Sequence, residues 1–194
     1  STGMCTKEEI KEIVDLVKNL GGKKLALLKC TSSYPAELNE TNLSLIPEMI
    51  KKFKTNIGLS DHTNGIDTSV IAVTMGACII EKHFIDKKIP QTPDSFFSIL
   101  PNELKSLSQR AMYAYKLRGN KKFGPTNKEK KSMIFRRSIY AVKDIKKDEV
   151  FTIKNISVIR PGKGLQPKFY KKIIGKRSKK KILKGTAIKW KYLK

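Results

Sequence analysis

No apolar run in this 194-residue chain approaches the ~18 residues needed to cross a bilayer, which argues against a membrane-spanning role. The opening STGMCTKEEI has neither a basic start nor an apolar stretch, so no secretory signal is expected, and the expected location is cytoplasmic. Cysteine is sparse: Cys5, Cys30 and Cys78 form no C-x-x-C pair and no zinc-like cluster, which points to reduced thiols rather than a disulfide framework. Acidic residues are few, 17 Asp+Glu against 41 Lys+Arg, giving a net charge of +24. Such a charge invites a nucleic-acid reading. However, the basic runs are not interleaved with aromatics as a single-strand-binding surface requires. The densest run, KRSKKK (176–181), reads as a solvated face, and a composition rich in Lys, Ile and Asn throughout accounts for the charge without a partner. Neither nucleic acid nor membrane is expected as a partner, although the charge would still favour phosphorylated or carboxylated small molecules. Histidine is scarcer still than cysteine, with two residues.

The remaining residues alternate between two periodicities. Thr6 with Glu9 three residues on, followed by apolar Ile10, Ile13, Val14 and Val17, predicts a capped amphipathic helix ending near Gly21-Gly22. KLALLKC (24–30) reads as a buried strand, and Leu43 to Phe53 has helical spacing. TNIGLSD (55–61), TSVIAVTMG (68–76) and ACIIEKHF (77–84) read as strand, helix and strand, and a helix beginning at Pro101 runs to Leu117. Strand–helix alternation at this spacing implies parallel βαβ units. From Gly119 the composition becomes that of a linker, followed by short β-like pieces at 138–142, 150–152 and 157–162. The expected organisation is therefore an α/β portion (1–118), a linker (119–133) and a small β-rich domain (134–194).

Functional groups of parallel βαβ units stand at the C-terminal ends of the strands. Here those ends read CTSSYP, SDHT and EKHF, which delivers His62 and His83 to one rim on neighbouring strands. Adjacent strands lie about 4.8 Å apart, so two such imidazoles can share one ion. They can equally act as acid–base groups or as hydrogen-bonded structural residues. If a metal is held, imidazole and oxygen donors suit Mn²⁺, Fe²⁺ or Zn²⁺ alike.

Six stretches in order, CTSSYPA (30–36), GLSDHTNGI (58–66), GACIIEKHF (76–84), PDSFFS (93–98), FRRSIYAVKDIKKDE (135–149) and IRPGKGL (159–165), resemble the sialic acid synthase family of nonulosonate synthases. CTSSYPA, DSFFS and RPGKGLQP lean toward its pseudaminic branch. The resemblance implies the last βα units of a (β/α)8 TIM barrel followed by an antifreeze-protein-like (SAF) domain. It implies a C–C bond-forming transferase that condenses phosphoenolpyruvate with the aldehyde form of an N-acetylated amino sugar, releasing phosphate. The implied cofactor is a divalent cation, Mn²⁺ first, with Mg²⁺ or Co²⁺ as substitutes. The implied assembly is a homodimer with swapped C-terminal domains. Carried over by position, His62 and His83 would hold the metal, and Ser1, Ser32 and Ser60 would lie near phosphoenolpyruvate. Tyr34, Asp61, Asp94 and Arg160 would serve the sugar and the chemistry, Arg160 from the partner subunit.

The chain departs from this family in two ways. A full barrel takes about 250 residues, whereas the first portion here shows three strands and the tail of a fourth. The expectation is a partial barrel that is inactive by itself, with the alternative of a carbohydrate-contact or dimerisation module without catalysis. In QTPD (91–94), Thr92 stands where relatives carry glycine, which would shift Asp94.

Overall fold

Thr6 opens the first helix, α1 (Lys7–Asn19), through a reciprocal cap. Its hydroxyl accepts the Glu9 N–H at 3.2 Å, and the Glu9 carboxylate accepts the Thr6 N–H at 2.6 Å. The computed structural model describes residues 1–90, 92–120 and 122–194 and divides into two units, Ser1–Lys121 and Lys122–Lys194.

In the first unit, strands β1 (Ala26–Cys30), β2 (Asn56–Asp61) and β3 (Ile80–Lys82) form a parallel sheet in the order β1-β2-β3. Helix α2 (Leu45–Phe53) links β1 to β2, helix α3 (Asp67–Met75) links β2 to β3, and helix α4 (Pro101–Arg118) follows. Every β2 residue after Asn56 is buried, as expected for a central parallel strand covered on both faces. The sheet is pressed tightest at Gly58. A Cβ there would lie 2.5 Å from both the Ile79 carbonyl oxygen and Leu28 Cδ2, so a side chain would force the strands apart. Val14, Ile46, Phe53, Ile57, Leu59 and Ala72 form the core between sheet and helices.

The third strand is shorter than the expected 77–84, although its approach still bonds to β2: the Cys78 N–H donates to the Ile57 carbonyl at 2.8 Å. Each edge of the sheet carries one further residue. Thr2 donates its N–H to the Leu28 carbonyl at 2.9 Å, alongside β1. Ile99 forms a parallel bridge with Phe84 and donates its N–H to the His83 carbonyl at 2.8 Å. The Thr2 contact sits where a strand tail is expected; the Ile99 contact has no counterpart in the sequence reading, because a one-residue bridge carries no periodicity.

In the second unit the expected linker is not structureless. Asn127–Ser132 forms a short helix, α5, with a reciprocal Thr126–Glu129 cap, and a 3₁₀ turn follows at Met133–Phe135. Strands β4 (Ser138–Ala141) and β5 (Ile156–Ile159) pair antiparallel. The expected strand at 150–152 is reduced to an isolated bridge between Val150 and Arg177. Ile139, Ile145, Phe151, Ile156, Ile173, Ile182 and Ile188 close the core. No helix among the described residues is long and apolar enough to cross a membrane.

Candidate functional site

Parallel strands end on one side of their sheet, and the tips of β1, β2 and β3 bring together Tyr34, His62 and His83. Backbone geometry fixes His62, which is 7% exposed. Its carbonyl accepts the Ala36 N–H at 2.9 Å, and its Nδ1 lies 2.9 Å from the Thr31 carbonyl oxygen. Because a carbonyl only accepts, Nδ1 carries a proton, and in the neutral ring this makes Nε2 the nitrogen with the lone pair. The His62 and His83 ring centres are 5.2 Å apart. Two imidazoles sharing one cation at about 2.1 Å per nitrogen hold their ring centres roughly 5 Å apart. A backbone carbonyl bound to the distal nitrogen is also the usual way a protein orients a ligating histidine.

The donor set therefore fits a divalent cation, with two imidazoles from the protein. Among the described residues no cluster of three or more His, Cys, Asp or Glu closes around one point. Any remaining coordination positions would fall to water or substrate, the open arrangement of catalytic rather than structural sites. His83 Nδ1 lies 3.6 Å from an Asp94 carboxylate oxygen. Asp94 adopts a left-handed φ of 64°, and its carbonyl accepts both the N–H and the hydroxyl of Ser98. Thr92 bonds through its hydroxyl to the Ile89 carbonyl, and Asp94 still reaches His83; Gln91 of this turn lies outside the described residues.

Ser60, His62, Glu81, Lys82 and His83 line a cavity of about 270 Å³. Ser60 donates its hydroxyl to Glu81 at 2.7 Å, so Glu81 holds that serine. Ser32 lies beneath the Ser1–Met4 stretch, where Gly3 permits the approach: a Cβ on Gly3 would sit 2.0 Å from Ser32 Oγ. Ser1 itself is exposed. Tyr34, 53% exposed, tilts over His62 with ring centres 4.3 Å apart.

Asp61 is not brought to this rim. Its side chain is fully buried, and its carboxylate accepts from the Thr63 N–H, the Thr63 hydroxyl and the Ser69 hydroxyl while pairing with Lys82 Nζ at 3.0 Å. Lys82 also donates to the Thr63 carbonyl at 2.7 Å. Successive residues of an extended chain face opposite sides, so a rim-facing His62 turns Asp61 toward the helix layer. Its carboxylate is thus engaged in the interior, away from the rim where the catalytic expectation placed it. Arg160 is exposed at the end of β5, in the second unit.

Sequence reasoning missed Phe97, 2% exposed, whose ring centre lies 4.8 Å from that of His83 and 6.1 Å from that of Tyr34. It backs the site. Nothing in PDSFFS distinguishes it from Phe96, which is 61% exposed.

The model for the NeuB family matches residues 1–123, and that for the SAF domain matches residues 136–194. The pseudaminic acid synthase of Campylobacter jejuni (strain 81-176) is 41% identical over 189 residues, covering 97% of this chain and 55% of that protein. The Helicobacter pylori pseudaminic acid synthase is 37% identical over 97% of this chain and 56% of its own length. The chain thus spans about half the length of these relatives. Among solved structures, an N-acetylneuraminic acid synthetase from Leptospira borgpetersenii in complex with citrate aligns with a TM-score of 0.65 and 34% identity, over 69% of this chain and 47% of that one. A spore coat polysaccharide biosynthesis protein E from Chromobacterium violaceum aligns with a TM-score of 0.76 over 99% of this chain and 59% of that one; at 20% identity it speaks for the fold alone.

Proposed function

The chain belongs to the NeuB family, and from that premise we propose that it carries the histidine rim and the SAF domain of a pseudaminic-type nonulosonate synthase. The reaction joins C3 of phosphoenolpyruvate to the aldehyde carbon of an N-acetylated amino sugar. Water adds at C2, and cleavage of the C–O bond releases phosphate. The single observation that carries the reading is the His62–His83 pair: two imidazoles with ring centres 5.2 Å apart, one of them locked by the Thr31 carbonyl with Nε2 free.

His62 and His83 would hold a divalent cation, with Mn²⁺ favoured over Mg²⁺ or Co²⁺, which when bound supplies Lewis-acid polarisation of the aldehyde oxygen. Tyr34 and Phe97 wall the site. Asp94, beside His83, would bind sugar hydroxyls as an acceptor. Ser60, whose hydroxyl is held by Glu81, would lie beside phosphoenolpyruvate, Ser32 would donate to it, and Ser1 would lie near its phosphate. In a homodimer with exchanged SAF domains, Arg160 would add a cation to the partner's site. Thr2 and Ile99 lie along the two edges of the three-stranded sheet, and under this reading turnover would need those edges covered by further strands.

Metal binding tests the reading on the chain as it stands. Mn²⁺ titration followed by electron paramagnetic resonance should show one site, weakened at least about tenfold by His62→Ala and by His83→Ala, since loss of outer-sphere partners alone costs 10–100-fold. Unchanged Mn²⁺ affinity in both variants would remove the basis for the proposal.

A further inference from the structure

On β1 the side chains alternate, and Lys29 faces away from the rim. Cys30 turns toward His62, its Sγ 3.9 Å from Nδ1, while Lys29 turns into the layer between sheet and helices. There it lines a separate cavity of about 490 Å³ bounded by α1 and α2, with Ile10, Met49 and Phe53 among its apolar walls. Lys29 is 6% exposed. Its Nζ donates to the Thr31 hydroxyl at 2.6 Å, one partner for a group with three donors. Among the described residues no carboxylate lies within ion-pair distance of it. Burial holds its ammonium below the ordinary lysine range, partly offset by the neighbouring Cys30.

We propose that this cavity is a second ligand site, outside the histidine rim, for a small molecule with an apolar body and an anionic head that Lys29 receives. A buried amine short of a counter-charge is costly, and an entering anion supplies both the charge and the missing acceptors. Lys7 and Lys52 also line the cavity and exceed its acids, Glu40 and Glu48, by one positive charge once Lys29 is counted. The volume is within the range of small-molecule pockets and far larger than a bare phosphate needs, so the apolar walls require an organic body.

Isothermal titration of the 194-residue chain with phenyl phosphate, phenylacetate and benzyl alcohol tests the site. At least one of the two anions should bind, and benzyl alcohol should bind at least about tenfold more weakly than it. Lys29→Met should weaken the anion by a similar factor. Preference for the phosphate assigns a phosphorylated ligand, and preference for the carboxylate assigns a carboxylic acid. Absence of binding by both anions, or equal binding to Lys29→Met, overturns the proposal. Should Lys29→Met fail to fold, a crystal structure of the unsubstituted chain with phenyl phosphate decides: the phosphate must contact Lys29 Nζ, and any other location overturns the site.

Discussion

Replacing Asp61 by alanine strands Lys82 in the interior. The two side chains are 0% and 3% exposed and lie 3.0 Å apart, and the carboxylate also serves Thr63 and Ser69. Removing one member of a buried ion pair leaves an uncompensated charge and costs about 3–5 kcal/mol. That is a large part of the roughly 5–15 kcal/mol that stabilises an ordinary domain. With a urea dependence of about 2 kcal/mol per molar, the midpoint should fall by about 2 M. Asp61→Asn combined with Lys82→Met removes both charges, keeps most of the volume and should recover most of the loss, because replacing a buried pair as a unit is often nearly neutral. Urea unfolding followed by circular dichroism reads both variants. The folded double variant should also bind Mn²⁺ as the parent does. A midpoint shift below about 0.5 M for Asp61→Ala, which is about 1 kcal/mol at this slope, would refute the buried-pair argument. Lost Mn²⁺ affinity in the folded double variant would restore Asp61 to the reacting site.

Phe97→Ala should destabilise the first unit by about 3–5 kcal/mol, because the ring is 2% exposed and leaves a cavity behind His83; a loss under ~1 kcal/mol in the same unfolding experiment would show that the wall collapses freely. The first turn of α1 should be sensitive to acid. Hydrogen bonds from the Thr6 backbone and then its hydroxyl hold the Glu9 carboxyl below its ordinary value. The folded value thus lies below the unfolded one, so the cap's contribution is complete above the ordinary carboxylate range and is lost as pH falls through the folded value. Amide exchange in residues 7–10, corrected for its intrinsic pH dependence, should accelerate in acid, and Glu9→Gln should flatten that change. An unaltered profile in Glu9→Gln would sink the capping account.

Local patterns were legible wherever one residue type dictates one local geometry. Thr6 with Glu9 marked the start of α1, Pro101 marked that of α4, and the apolar runs marked β1 and β2. Thr126 with Glu129 caps α5 in the same way, yet the helix is a turn and a half of charged residues without an apolar stripe, and composition alone read it as linker. Strand ends marked His62 and His83 as neighbours. They could not say which way each side chain turned.

By itself, then, the sequence determined the order of the elements and the pairing of two histidines at strand tips, because these follow from periodicity and spacing along one dimension; the family resemblance rested on six ordered motifs. The tertiary structure alone decided that Asp61 is tied inward to Lys82, that Phe97 rather than Phe96 backs the imidazoles, and that Lys29 borders a cavity of its own. Those outcomes depend on strand register and on how each chain segment bends at its end. A one-residue change in either sends a side chain to the opposite face of the sheet.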